Sequence, residues 1–385
     1  MNVEKAVSYH RLKRRAGIAA TLLSAALLAA LLATGASEAL RDLASRAAST
    51  NPTPVSSPAA IAVYAMLLCA LLQGAALPMA WYRGVVLERR YGLSSERTAR
   101  WLADYLKAAA VSTAIAVAAA ELVYAALRRW PGFWWVAAAI GGGAAILLLA
   151  RAAPIVLLPL FYRFKPLDRP LLQDRLRTLS HRAGAPVLGV YEWELGGKTR
   201  RANAALVGVG STRRILLSDT LLADYSDDEI EVILAHELAH HTHRDVLKSV
   251  AAQTCLLLAG FAAAAAAFDV RATVGNGGWR HAADVAGLPV LLLAVGAVSV
   301  VLSPAIHALS RRHERRADAY ALQLTSRPAA FVSAMRRLGA QNLAEPQPSR
   351  AAVWLFHSHP PIEERIDRAR RFEAADKVAN LTNRG

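Results

Sequence analysis

A chain of 385 residues that is 55% hydrophobic, with a mean hydropathy of +0.27, is too apolar for an ordinary soluble domain. Its formal net charge of +16 flanks apolar runs and comes with no nucleic-acid motif, so it reads as a basic lipid-facing margin and not as a nucleic-acid surface. Cys69 and Cys255 both lie inside apolar runs, which excludes a disulfide framework and a thiolate metal site.

In chain order, the apolar runs are 16–37, 59–82, 108–127, 130–162, 249–268 and 285–309. Each reaches the ~20 residues that a helix needs to cross ~30 Å of hydrocarbon. Glu121 interrupts the third and Arg151 the fourth, where Pro154 and Pro159 are also kink sites. Both charges are costly at mid-membrane, so they either pair or face a polar interior. The first run follows a basic stretch (Arg11, Lys13, Arg14, Arg15) and fits a cleavable signal sequence as well as a retained anchor. Its length and the spans that follow favour retention. The second run is entered from the Pro/Ser-rich linker 50–58.

Orientation follows from the basic residues of the short loops. Residues 1–15 carry five Lys or Arg and 83–100 carry five, whereas the alternate loops carry only Arg41 and Arg46, Arg128 and Arg129, and Arg271 and Arg280. The asymmetry puts the N-terminus and the segments 163–245 and 310–385 in the cytoplasm. The expected organisation is an N-terminal membrane segment 1–162 with four spans, a cytoplasmic segment 163–245, two further spans within 246–309, and a C-terminal cytoplasmic segment 310–385.

Within 163–245, the spacing of Leu167, Leu171, Leu172, Leu176 and Leu179 predicts an amphipathic helix over 164–183, stopped by Gly184. Strands are expected at 187–194, 204–209 and 214–217. A small sheet of this kind offers an edge to which an extended peptide can add by main-chain hydrogen bonds. A helix over 228–243 follows, with Ser226 as N-cap and Glu229 completing a capping box.

That helix carries His236-Glu237-Leu238-Ala239-His240. Two histidines four residues apart lie ~40° apart around the axis and ~6 Å along it, which lets two imidazoles hold one Zn²⁺. Glu237 beside them can take a proton from a water at such a site. The competing reading, a surface helix with unrelated histidines, is tested by context. A third ligand is found in Arg312-His313-Glu314-Arg315-Arg316-Ala317-Asp318, where Glu314 completes a two-His, one-Glu set. Asp318, on the same helical face, can accept the N–H of a ligating histidine and fix its tautomer. His241, His243, Asp245, His281, His307 and His313 are the other candidates; His241 and His243 fall off the face of the pair, and His281 is expected outside. Downstream, His357-Ser358-His359-Pro360-Pro361 with Arg365 supplies groups able to stabilise an oxyanion.

Taken together these residues resemble the integral-membrane CAAX prenyl proteases, in a bacterial version. Besides the two metal motifs, the resemblance covers Val86-Leu87-Glu88-Arg89-Arg90-Tyr91-Gly92-Leu93, Pro159-Leu160-Phe161-Tyr162-Arg163-Phe164-Lys165-Pro166-Leu167, Asn203-Ala204, 214–222, and Ser358-His359-Pro360-Pro361 with Arg365. It implies an all-α polytopic membrane protein with a zincin-like α+β cytoplasmic catalytic domain and transmembrane helices around a chamber, which Glu121 and Arg151 would face. It implies one Zn²⁺ per chain on His236, His240 and Glu314, with Glu237 as general base and Asp318 behind the ligands. Asn203 would hold substrate backbone, and His359 and Arg365 would contact the substrate or the tetrahedral intermediate. The partners implied are a peptide or protein substrate and the lipid bilayer, with the site on the cytoplasmic side of the inner membrane. The chain departs from the seven spans of the eukaryotic members in having six. Two alternatives stand beside this reading: a quality-control protease for misfolded membrane proteins, similar to the heat-shock membrane proteases, and a catalytically silent scaffold or transporter.

Overall fold

The computed structural model describes residues 3–50, 56–208, 213–274 and 281–382. Part of the 50–58 linker, the end of the strand expected at 204–209, and Arg280 lie outside them. The membrane part begins with α1 (Val3–Ala33) and the short α2 (Ala36–Ala47), joined through Gly35 at φ 74. Next come α3 (Pro58–Trp81), a π-helical turn, α4 (Leu87–Arg90), α5 (Thr98–Arg129), α6 (Trp134–Val156) and α7 (Leu158–Phe161). The segment after the fourth span holds β1 (Phe164–Pro166), α8 (Pro170–Arg182), β2 (Gly189–Trp193), β3 (Ala204–Val207), β4 (Arg214–Ser218), α9 (Asp219–Asp224) and α10 (Asp227–Thr242). The chain then re-enters the apolar layer as α11 (Asp245–Val274) and α12 (Leu288–Thr325), and ends in α13 (Pro328–Gln341), α14 (Arg350–Phe356) and α15 (Ile362–Thr382).

Six helices among the described residues are long and apolar enough to cross a membrane: Glu4–Ala33, Pro58–Arg90, Thr98–Arg129, Trp134–Val156, Asp245–Val270 and Val285–Thr325. Their order in space is simple. Helix α1 packs on α3, α3 on α5, α5 on α6, α6 on α11, α11 on α12, and α12 back on α1, so the six close a ring. Where the resemblance implies seven members, six suffice. Glu121 and Arg151 do not pair: Glu121 stands 4.0 Å from Arg128, two turns further along α5, and Arg151 is exposed.

Several boundaries move for identifiable reasons. The fourth run does not continue to 162; α6 stops at Val156, ahead of Pro159 in the first turn of α7. The amphipathic helix starts at Pro170 and not at 164, because residues 164–166 pair with β2 and Leu167 donates to Val190 O instead. Proline in the first helical turn is well placed there, since its missing N–H has no partner to lose. Gly184, at φ 67, ends α8 as expected. The histidine helix does not run straight into span five: α10 ends at Thr242, Arg244 turns the chain at φ 55, and α11 restarts at Asp245. Span six and the Glu314 segment, in contrast, are one continuous helix, α12.

The sheet has the order β1-β2-β4-β3, with β1 and β3 antiparallel to their neighbours and β2 parallel to β4. Strand β3 is therefore an edge, held on β4 by pairings from Ala204–Leu217 to Val207–Arg214. Leu172, Leu176 and Leu179 of α8, Ile215 and Leu217 of β4, Ile230, Leu234 and Leu238 of α10, and Phe331 of α13 form one buried core under the site. Fully burying such a side chain contributes ~1.5–3 kcal/mol, so α10 is held on a rigid base.

Candidate active site

Helix α10 is fixed at its start by the expected capping box. The Glu229 N–H donates to Ser226 Oγ at 3.3 Å, and the Ser226 N–H donates to Glu229 Oε2 at 2.8 Å. The helix is packed by β3, α8, α12 and α13. One turn before its end, His236 and His240 bring their Nε2 atoms to 3.3 Å.

Glu314 arrives from α12, with Oε2 3.3 Å from His236 Nε2 and Oε1 3.4 Å from His240 Nε2. Among the described residues these three form the group of donors able to share an ion. One donor atom from each residue lies within 4.8 Å of the others, close enough to share one ion, and two histidines with one glutamate are a zinc ligand set. Glu314 is itself buried, so its carboxylate is turned to these histidines and away from solvent. The electrostatics agree with a cation. Burial alone would depress the His236 imidazolium, yet the carboxylates of Asp318 and Glu314 outweigh it and raise the pKa to about 9.

The other imidazole nitrogens are each held by a buried carboxylate. His236 Nδ1 lies 2.9 Å from Asp318 Oδ1, and His240 Nδ1 lies 3.0 Å from Asp245 Oδ2. With Nδ1–H donated to these acceptors, both Nε2 lone pairs face the common point. Asp318 is braced in turn by Arg365, whose Nε and Nη2 donate at 2.9 and 2.5 Å. Asp245 is braced by Arg316 and lies 3.7 Å from Lys248 Nζ. Asp245 was a candidate ligand by type; the structure puts it behind His240 instead. Its one sequence signal is a carboxylate just past the end of a histidine helix, which spacing rules do not weight.

Glu237 is half-buried on the same turn and has no hydrogen-bond partner among the described residues. Burial pushes its carboxyl above the usual range. His359 Nδ1 is 2.8 Å from Glu314 Oε2, with a side chain 63% exposed. The loop carrying it is tied to α12: Arg311 donates to Val353 O and His357 O at 2.9 and 2.6 Å, and Arg315 forks onto Glu364. The arginines of the juxtamembrane helix thus anchor the C-terminal segment, a role the sequence reading did not assign. Arg365, expected against the substrate, is buried against Asp318. Asn203 is further off, where its N–H donates to Ser218 Oγ at 2.9 Å and its carbonyl accepts the Ser218 N–H at 2.9 Å. That pairing leaves its exposed side chain at the entrance to β3. The remaining candidates are elsewhere: His243 Nδ1 pairs with Ala239 O, and His313 stands 3.9 Å from Asp245.

A ring of membrane-length helices carrying a two-His, one-Glu cluster with a free neighbouring carboxylate is the arrangement of a membrane metalloprotease. Comparison with known proteins gives the family. "Peptidase family M48" matches residues 166–373, and "CAAX prenyl protease N-terminal, five membrane helices" matches residues 1–163. The chain belongs to peptidase family M48. It is 30% identical over 301 residues to an uncharacterized metalloprotease, YhfN, of Bacillus subtilis, covering 78% of this chain and 70% of that protein. It is 25% identical over 307 residues to CAAX prenyl protease 1 of Saccharomyces cerevisiae, covering 75% and 67%. A protease HtpX homolog of Methanopyrus kandleri is 30% identical over 239 residues, covering 55% and 70%. In fold, the chain is similar to the crystal structure of S. mikatae Ste24p, with a TM-score of 0.82 at 21% identity over 95% of this chain and 88% of that one. Where the N-terminal family description has five membrane helices, the described residues up to 163 hold four of span length and the 12-residue α2, which at ~18 Å is too short to cross.

Proposed function

We propose that this membrane metalloprotease is a zinc-dependent endopeptidase with one Zn²⁺ per chain, held by His236, His240 and Glu314, and with Glu237 as its general base. The observation that carries the reading is the convergence of His236 Nε2, His240 Nε2 and the Glu314 carboxylate, one donor atom from each within 4.8 Å of the others, the two-His, one-Glu set of a zinc site. Zinc bound there supplies Lewis-acid polarisation of the scissile carbonyl and a lowered pKa for water. The protein's own groups account for the rest. Glu237, unpartnered among the described residues and raised by burial, takes the proton of the attacking water and passes it to the departing amine. His359, exposed beside Glu314, donates to the carbonyl oxygen as it gains charge. Asp318 and Asp245 keep the two imidazoles in one tautomer. Arg365 acts on the site through Asp318. Asn203 holds substrate backbone at the edge strand β3, to which an extended peptide adds.

The site faces the cytoplasm of a bacterial inner membrane in this reading. The basic start of α1 supports that orientation: Arg14 pairs with Glu345 at 2.8 Å and His10 with Leu343 O at 2.8 Å, so the N-terminus and the catalytic segment share a side. We take prenylated C-terminal peptides as the first substrate class, after the name of the yeast relative. The similarity to an HtpX homolog supports the second, misfolded membrane proteins. A farnesylated CAAX-type peptide and an unprenylated, loosely folded membrane protein, each incubated with detergent-purified protein, separate the two. Cleavage of only the second overturns the first. Glu314→Ala should lose the metal, and full zinc occupancy in that variant would overturn the ligand set.

A further inference from the structure

We infer that the cavity between α12 and α14 holds the headgroup of an anionic phospholipid, taken from the leaflet on the side of the metal cluster. It encloses about 390 Å³ and is walled by Ala308, Arg311 and Arg315 of α12, Arg350 and Trp354 of α14, and Glu364 of α15. The cavity lies where span six leaves the hydrocarbon, since its apolar run closes at residue 309.

The charge in this place does not balance. Three arginines face one carboxylate, which leaves two cations in surplus. Glu364 is already taken by the Arg315 fork at 2.7 and 3.3 Å, and Arg368 stands 3.4 Å from it. Arg311 is buried and gives Nη1 to the carbonyls of Val353 and His357. Among the described residues no carboxylate comes within ion-pair distance of Arg311 or of Arg350. A buried cation without a counter-charge is unfavourable, and an anion at the mouth of the cavity offsets it. Arg350 is exposed with its whole guanidinium open, and Arg315 keeps Nη1 beyond its fork. Both can donate to phosphate oxygens. Arg311 lies deeper and acts by its charge, which is weakly screened there, without touching the anion.

The surroundings identify the source of the phosphate. Val301, Ala305, Ala308 and Arg312 are all exposed and recur at helical spacing, so an apolar stripe of α12 runs into the cavity. Beside it, Trp354, Leu355 and Phe356 of α14 are exposed too. A tryptophan among arginines at the end of a span has the composition of a membrane–water interface. An acyl chain laid on the stripe brings its phosphate among the arginines. A soluble anion or an acidic peptide would leave the stripe and Trp354 bare. Glu314 follows Arg311 by three residues, ~5 Å along the helix. A headgroup held here therefore keeps the metal cluster at the depth of the lipid surface.

The test uses the full-length protein in detergent micelles that carry bromine-labelled lipid, a quencher of nearby tryptophan fluorescence. The signal read is that of Trp354 alone, as the difference between the wild type and Trp354→Phe. Brominated phosphatidylglycerol should quench it at a mole fraction about tenfold below brominated phosphatidylcholine. Arg350→Gln should remove most of that preference with metal content unchanged, and Arg350→Lys should restore part of it. Thermal unfolding gives a second readout on the wild type, whose midpoint phosphatidylglycerol should raise more than phosphatidylcholine does. Equal quenching by the two lipids overturns the inference. Displacement of the charged lipid by inorganic phosphate or by a polyglutamate peptide, at matched ionic strength, also overturns it and assigns the cavity to a soluble anion or an acidic partner. Failure of both to displace it supports the lipid.

Discussion

His236 and His240 meet Glu314 with the correct nitrogen because a carboxylate stands behind each ring. Asp318 and Asp245 play this part at 2.9 and 3.0 Å. The first pairing was legible in the sequence, since Glu314 and Asp318 share a helical face. The second was not, because the chain turns at Arg244 and only the folded backbone brings Asp245 under His240. Asp245→Asn should weaken zinc binding by about 10- to 100-fold in chelator competition. Unchanged affinity in that variant would reduce Asp245 to a helix-start residue. The position of Arg365 was equally hidden: a motif can name an arginine but not say that it spends its guanidinium on Asp318.

At the scale of elements, helix α10 was the most readable part of the chain. Its cap, its period and its histidines all point one way, and the capping box forms as expected. Ser226→Ala removes the Oγ that accepts the Glu229 N–H and should cost about 1 kcal/mol, read as a lower unfolding midpoint with zinc content unchanged. A midpoint equal to that of the wild type would mean that the tertiary packing of α10 alone sets its start. Helix α12 was read as a span followed by a separate segment. It is continuous from Leu288 to Thr325, and its Arg311 and Arg315 hold α14 and α15, contacts that hydropathy does not see.

For the whole molecule, apolar runs located the six crossings but not their order, since helices in lipid are sorted by packing and not by hydropathy. The ring closes where α1 meets α3 and α12. The start of α1 also docks on Glu88 of α4, which accepts from Tyr9 at 2.6 Å and pairs with Lys13 and with Arg201. Glu88→Gln leaves those two cations without their counter-charge. With Lys13 and Arg201 33% and 32% exposed, solvent screening limits the expected cost to about 1–2 kcal/mol. Thermal unfolding in detergent checks it, and a variant as stable as the wild type would show that α1 is held by its apolar contacts alone.

The most direct test of the central claim is a paired measurement on purified Glu237→Ala: zinc per chain, and turnover of a peptide that the wild type cleaves. The account predicts about one zinc per chain with hydrolysis lost, because the ligands stay in place and the base is gone. Retained hydrolysis in the zinc-loaded variant would contradict it.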